Sequence, residues 1–219
     1  MEQAKIDNYV SERGAQAYRH DHESKLQRKL SDRVERRILE RYIDRIGAFG
    51  SAIDVPCGFG RFFGLLARRG ADVIEADVSP TMLNLSRESH GDRAAGFLRC
   101  SATSLPLGDD AVDLAVSIRL SHHFSELAHR EQHVRELMRI AKRAVIFTYF
   151  SHHSVKNTLR RLRKPFDRKR PKNTLRPTRV AELAAEAGWL VDRSSPISRL
   201  SSGHIYALLL PQPGREPIQ

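Results

Sequence analysis

The chain has 219 residues, with 37 Lys plus Arg against 26 Asp plus Glu, giving a formal net charge of +11 and a pI of about 10.2. A hydrophobic fraction of 40% and a charged fraction of 29% match an ordinary globular protein and exclude a fibrous, collagen-like or wholly disordered chain. Two cysteines, Cys57 and Cys100, with no CxxC pair, point to neither a disulfide framework nor a zinc ribbon, and the length predicts one domain with its own core.

Residues 1–46 are helical in pattern, with Leu26, Leu30, Val34, Ile38, Leu39, Tyr42, Ile43 and Ile46 at three- and four-residue steps among charged neighbours. Gly14 and the HDH stretch at His20 to His22 break the pattern, which predicts a short helix and then a longer one, an N-terminal helical cap. The start of the chain has no apolar signal core, and no apolar run approaches the roughly 18 residues of a membrane span, so a cytoplasmic protein is expected.

From Ser51 the period changes. Short apolar runs at 52–55, 72–76, 96–99, 112–118, 144–149 and 205–210 alternate with helical patterns at 61–69, 80–88, 129–141 and 178–187, the last closed by Gly188. Strands alternating with helices predict βαβ units around a parallel sheet over 47–219.

One segment carries the chemistry. In SAIDVPCGFGRFFGLLARRGADVIEADVSPTML an apolar strand ends in Asp54, a turn follows with Gly58 and Gly60, and a helix begins at once. Glycine lets backbone approach a ligand closely. A second strand ends about 20 residues on in Asp77, placed to accept hydrogen bonds from ribose hydroxyls. A dinucleotide fingerprint GxGxxG would require glycine at 63, where Phe63 stands, although Gly58, Gly60 and Gly64 fit the looser GxGxxxG.

The ordered set of Asp54, Gly58, Gly60, then Asp77 with Ser79, Pro80 and Met82, then Leu105, Pro106 and Leu107, then His122 and His123, resembles class I S-adenosylmethionine-dependent methyltransferases over residues 45–150. The resemblance implies an α/β fold with a doubly wound, seven-stranded, mostly parallel sheet, Rossmann-like, behind the N-terminal helical cap. It implies S-adenosyl-L-methionine as cofactor, with Asp54, Gly58 and Gly60 at its methionine end and Asp77 on the ribose. Met82, Ser101 and Ala102 would lie beside the adenine, and the stretch Ser117 to Leu120, with Arg119, would face the sulfonium. Three positions depart from the family pattern: Pro56 replaces its first glycine, Phe59 a common Ser or Thr, and Ser101 the usual acidic adenine contact. Proline donates no N–H and serine is a weaker acceptor than a carboxylate. A non-catalytic binding protein on this fold is therefore kept as an alternative.

On the acceptor side, the fourth and fifth strands are each followed by a histidine pair, His122 and His123, then His152 and His153. A neutral imidazole is a suitable general base, so His123, His152 and His153 are the candidate catalytic residues, with strand-end packing as the alternative role. No carboxylate accompanies them at ligand spacing, and no metal is expected. Tyr9 and Tyr18 could offer an aromatic face to the sulfonium from the cap.

The charge is local. Residues 156–176 hold ten Lys or Arg against Asp167 alone, a net +9, and the remainder is nearly neutral at +2. A basic insertion after the fifth strand is expected to meet an anionic partner: an acidic small-molecule acceptor, a phosphorylated glycolipid or the inner face of a membrane. Nucleic acid is the alternative, with an RNA methyltransferase as the corresponding function. The expected activity is methyl transfer to an oxygen or nitrogen of a small or anionic acceptor.

Overall fold

The computed structural model describes residues 14, 16, 20, 26–151, 173–198 and 203–214. Tyr9, Tyr18, His152, His153 and residues 156–172 of the basic insertion lie outside the described residues.

The elements follow as α1 (Leu26–Ile46), β1 (Ser51–Asp54), α2 (Phe63–Ala67), β2 (Asp72–Asp77), α3 (Pro80–His90), β3 (Gly96–Arg99), β4 (Val112–Ser117), α4 (Leu127–Ile140), β5 (Ala141–Phe150), α5 (Pro177–Glu186), β6 (Trp189–Pro196) and β7 (His204–Pro211). They form one seven-stranded sheet in the order β3-β2-β1-β4-β5-β7-β6. Strands β3 to β5 along this order pair in parallel, and β7 runs antiparallel to both β5 and β6. The seven-stranded, mostly parallel sheet expected above is what the chain forms.

Six of the strands coincide with the apolar runs. The seventh, β6, reads WLVDRSSP, with polar residues over its second half, and shows no apolar run in the sequence. It holds its place by pairing with β7, from Trp189 opposite Pro211 to Pro196 opposite Ile205. Edge strands bury less than central ones, and their pattern weakens accordingly.

Period-two alternation divides the sheet into two buried layers. On one face Ala52, Val73, Leu114, Val116, Ala144, Ile146, Tyr206 and Leu208 meet Ile38, Leu39, Tyr42 and Ile43 of α1 and Phe63, Leu65 and Leu66 of α2. On the other, Ile53, Ala115, Val145, Phe147 and Leu209 meet Val134, Leu137 and Met138 of α4 and Val180, Leu183 and Ala184 of α5. The cap helix α1 is thus half of the core. Helix α3 starts with Ser79 as N-cap, its hydroxyl accepting from the Met82 N–H at 3.3 Å, and with Pro80 in the first turn. Gly188 ends α5 with φ of +73°.

The strand order reverses between β1 and β4, which opens a crevice at the carboxyl ends of these strands.

Candidate functional site

The turn after β1 lies at this crevice. Val55 and Cys57 donate their N–H groups to the carbonyls of Val116 and Ala76, at 2.9 and 2.8 Å, so the turn is tied to both neighbouring strands without a donor from Pro56. The proline replaces a group that the turn does not use. Gly58 and Gly60 both have positive φ, +58° and +77°. A Cβ at Gly58 would meet nothing within 4 Å, whereas one at Gly60 would come within 2.4 Å of the His90 ring and 2.7 Å of the Ser86 hydroxyl. The second glycine is needed by α3, whose His90 Nε2 donates to the Gly60 carbonyl at 2.9 Å while its ring stacks on Phe63 at 4.2 Å. Phe59 packs on Met82 and Leu85 of the same helix, which accounts for a large side chain at that position.

Three carboxylates are buried around this turn: Asp54, Glu75 and Asp77. Asp77 accepts the N–H groups of Gly58 at 3.0 Å and Ser79 at 2.9 Å, so it joins the turn to the head of α3. Burial raises its pKa against the pull of those donors. Asp54 and Glu75 sit opposite each other in the β1–β2 register, both fully buried. Ser86 donates to one Glu75 oxygen at 2.8 Å, while the other Glu75 oxygen and both Asp54 oxygens have no hydrogen-bond partner among the described residues. Burial, reinforced by Glu75 and Asp77, pushes Asp54 far above the usual carboxylate range, and burial brings Glu75 up to about 7. Two such carboxyls cannot both ionise without a cation beside them. The Cys57 thiol, also buried here, is pushed up by burial and by Glu75, the opposite of an activated nucleophile.

A second ionic group closes the crevice from the cap. Glu35 of α1 is fully buried, accepts from Arg61 at 2.7 Å and from Arg119 and Ser31, and thereby joins α1 to the glycine turn and to the end of β4. Burial alone would raise the Glu35 carboxyl, but the two guanidinium groups outweigh it and hold the pKa at about 2. Arg61 also bonds Asp32 at 3.1 Å. Arg119 has φ of +64°, uncommon for a residue with a side chain, and its N–H donates to the Thr148 hydroxyl at 2.6 Å. The structure therefore places Arg119 beside the glycine turn, as the sequence suggested. Glu35 and Glu75 had gone unnoticed. Glu75 leaves a trace in the sequence, a charge at the inward period-two position between Val73 and Asp77; Glu35 leaves none, since charged residues fill α1 throughout.

Of the candidate adenine contacts, Met82 is buried at the first turn of α3, Ala102 is buried against the core, and Ser101 is exposed, its hydroxyl 2.8 Å from that of Thr103. Ser117, at the end of β4, is engaged by His133 of α4, Oγ to Nε2 at 2.9 Å. Burial lowers the His133 pKa to about 3, so this imidazole is neutral and pins β4 to α4.

Past β4 and β5 lies a group of rings. His122 packs against His123 (centroids 4.2 Å apart), Phe150 (5.0 Å) and His204 (4.9 Å), and His204 packs on Phe150 at 4.0 Å. His204 belongs here because β7 is antiparallel: its first residue pairs with Phe150, the last residue of β5. A histidine more than 80 positions downstream of His122 carries no sequence sign of this placement. No group of three or more His, Cys, Asp or Glu among the described residues is arranged to hold a metal ion.

Residues 53–149 match a family model described as a methyltransferase domain. A tRNA (carboxymethyluridine(34)-5-O)-methyltransferase of Mus musculus is 27% identical over 107 residues, 48% of this chain and 15% of that protein. A demethylmenaquinone methyltransferase of Clavibacter sepedonicus is 32% identical over 91 residues, 41% of this chain and 36% of that protein. The chain thus aligns with well under half the length of these relatives. Among solved structures, magnesium protoporphyrin IX methyltransferase from Synechocystis PCC 6803 with bound SAH superposes with a TM-score of 0.77, at 12% identity, over 96% of this chain and all of that one. With its methyltransferase domain at 53–149 and this sheet order throughout, the chain belongs to the class I S-adenosylmethionine-dependent methyltransferase family.

Proposed function

We propose that this chain transfers a methyl group from S-adenosylmethionine to an oxygen or nitrogen of a small or anionic acceptor. The observation that carries this reading is the division of the crevice: buried carboxylates around a glycine turn on the β1–β2 side, and imidazole and aromatic rings on the β4–β5–β7 side. The first half fits the donor. Asp54 presents buried oxygens without partners to a cationic group, Gly58 opens onto unfilled space, Asp77 stands at the strand end where ribose hydroxyls would meet it, and Met82 offers an apolar surface to the adenine.

The donor supplies a methyl group made electrophilic by its sulfonium. The chain's part is to hold the two partners in line and to keep water away, which accounts for most of the rate in such a transfer. Where the acceptor must lose a proton, His123 or the neighbouring His122 and His204 are placed to take it, with His152 and His153 next in sequence after β5. Titration calorimetry with S-adenosylmethionine tests the donor half, with micromolar binding expected. Absence of heat, together with no thermal shift, would favour a binding protein on this fold.

The basic insertion supports an anionic acceptor or surface. Its flanks are fixed at the acceptor edge: Leu175 bridges Ser151, the Leu175 N–H donates to the Phe150 carbonyl at 3.0 Å, and the Asn173 side chain donates to the His122 carbonyl at 3.2 Å. No helix among the described residues is long and apolar enough to cross a membrane, so contact with lipid would be peripheral. Sedimentation with phosphatidylglycerol vesicles should pull the protein down at low salt and release it in 0.5 M salt. The tRNA methyltransferase relative keeps RNA as the second acceptor class, which a gel shift with a steep salt slope would support.

A further inference from the structure

We propose that Glu75 is a donor-binding residue, which forms with Asp54 a seat for the α-ammonium group of the donor and exchanges one shared proton for that cation. This rests on the proposed use of S-adenosylmethionine and goes beyond it in assigning a second carboxylate and a proton to the donor site.

The argument begins with register. Asp54 and Glu75 are paired positions on adjacent parallel strands, so their side chains leave the sheet on the same face and side by side. Both are fully buried, and three of their four carboxylate oxygens have no partner among the described residues. Buried polar atoms are almost always satisfied, and carboxylates most of all, so such a pair calls for a cation or a proton.

The groups around the pair identify which one is supplied from inside the protein. Asp77 on β2 is a third carboxylate and worsens the repulsion. From the turn, the Cys57 thiol is held protonated by burial, and Arg61, the cation whose charge reaches Asp54, is directed to Asp32 and Glu35. From α3, Ser86 gives one hydrogen bond to Glu75, and His90 donates to the Gly60 carbonyl. None of these cancels a second negative charge, so without donor the pair holds a proton between them, consistent with the raised pKa values of both carboxyls.

The ligand follows from the same chemistry. The pair sits directly under the glycine turn, on the side assigned to the methionine end of the donor, whose only fixed cation shared by substrate and product is the α-ammonium. The ammonium has three N–H donors for three unpartnered oxygens. When it arrives, the proton leaves to solvent. The seat then carries two negative charges against the ammonium, and no other bond changes. Donor binding is thereby linked to pH, and a donor lacking the amino group gains nothing from the seat.

The test uses S-adenosylhomocysteine and its desamino analogue, which differ only in that ammonium, on the full-length chain and on Glu75→Gln, which retains an acceptor for Ser86. Calorimetry at pH 6.5 in two buffers of different ionisation enthalpy counts protons. For the wild type, release of about one proton per S-adenosylhomocysteine is expected, none with the desamino analogue, and an affinity that falls by up to about tenfold per pH unit as the pH drops below 7. In Glu75→Gln the proton release disappears, and the advantage of the amino ligand over its analogue shrinks by about tenfold or more. A folded Glu75→Gln protein that keeps both the release and the advantage overturns the proposal. Should that variant not fold, the wild type decides alone: equal affinity and equal proton release for the two ligands overturn it. Failure of the wild type to bind S-adenosylhomocysteine at any pH from 5 to 9 removes the methyltransferase reading itself, an outcome separate from the loss of Glu75's role.

Discussion

Single residues in this chain hold positions for reasons that their motif does not state. Gly60 belongs to a glycine turn of the sort that approaches a ligand, yet its missing Cβ makes room for His90 and Ser86. Gly60→Ala combines a forced φ of +77° with a contact of 2.4 Å, and should cost about 1–3 kcal/mol in urea denaturation. Trimming His90 in the same protein should recover part of this loss, since the clash is with its ring; no recovery would show the backbone angle to be the whole cost. Glu35 is the opposite case, an unremarked residue with a central place. Removing it as Glu35→Ala leaves two guanidinium groups facing each other, at a cost of about 3–5 kcal/mol at pH 7. Because its folded pKa of about 2 lies below the ordinary 4.5, the Glu35 contribution is complete above about pH 4.5 and disappears as the pH falls through 2. The gap between wild type and Glu35→Ala should therefore narrow steadily between those limits.

Among the elements, α1 shows how a cap becomes core. Leu39 and Ile43 are buried against the sheet, and Glu35 on the same helix reaches the end of β4. Leu39→Ala should destabilise the whole domain by about 2–5 kcal/mol in a single cooperative transition. A separate early transition confined to α1 would show that the helix is an appendage. Strand β7 makes the complementary point about legibility. Its apolar run was readable at 205–210, but the consequence of its direction was not: running antiparallel, it carries His204 to the same edge as His122. Sequence periodicity reports which residues are buried, whereas the direction of a strand depends on pairing partners far along the chain. The polar edge strand β6 escaped notice for a related reason, since its stability comes from β7 and only weakly from its own side chains.

For the molecule as a whole, buried titratable groups on opposite sides of the sheet pull stability in opposite directions with pH. Glu75, with a folded pKa of about 7, binds its proton more tightly when folded, so it costs nothing below about pH 4.5 and progressively more up to about pH 7. His133, lowered to about 3, favours the folded state fully above pH 6.5 and loses that contribution as the pH falls toward 3. In the absence of donor, Glu75→Gln should gain on the wild type as pH rises from 4.5 to 7, by on the order of 3 kcal/mol. His133→Asn should gain on the wild type in the other direction, as pH falls from 6.5. Differences that do not vary with pH would contradict both assignments. At this scale the sequence was most informative: the order of Asp54, Gly58, Gly60 and Asp77 predicted the sheet and the place of the donor crevice. The carboxylate pair and the ring cluster emerge only when register and strand direction set distant residues side by side.

The bridge between Ser151 and Leu175 has one more consequence. The chain leaves the sheet after β5 and returns to the same point 24 positions later, so residues 152–174 form a closed excursion whose ends are already joined by the fold. Such a segment can be exchanged as a unit. Loop closure depends only weakly on length, and the strands on either side are indifferent to what lies between. A lineage carrying this sheet could acquire a new acceptor by replacing one cassette at the rim of the crevice, leaving the donor half untouched. An engineer could do the same by grafting a different loop between Ser151 and Leu175.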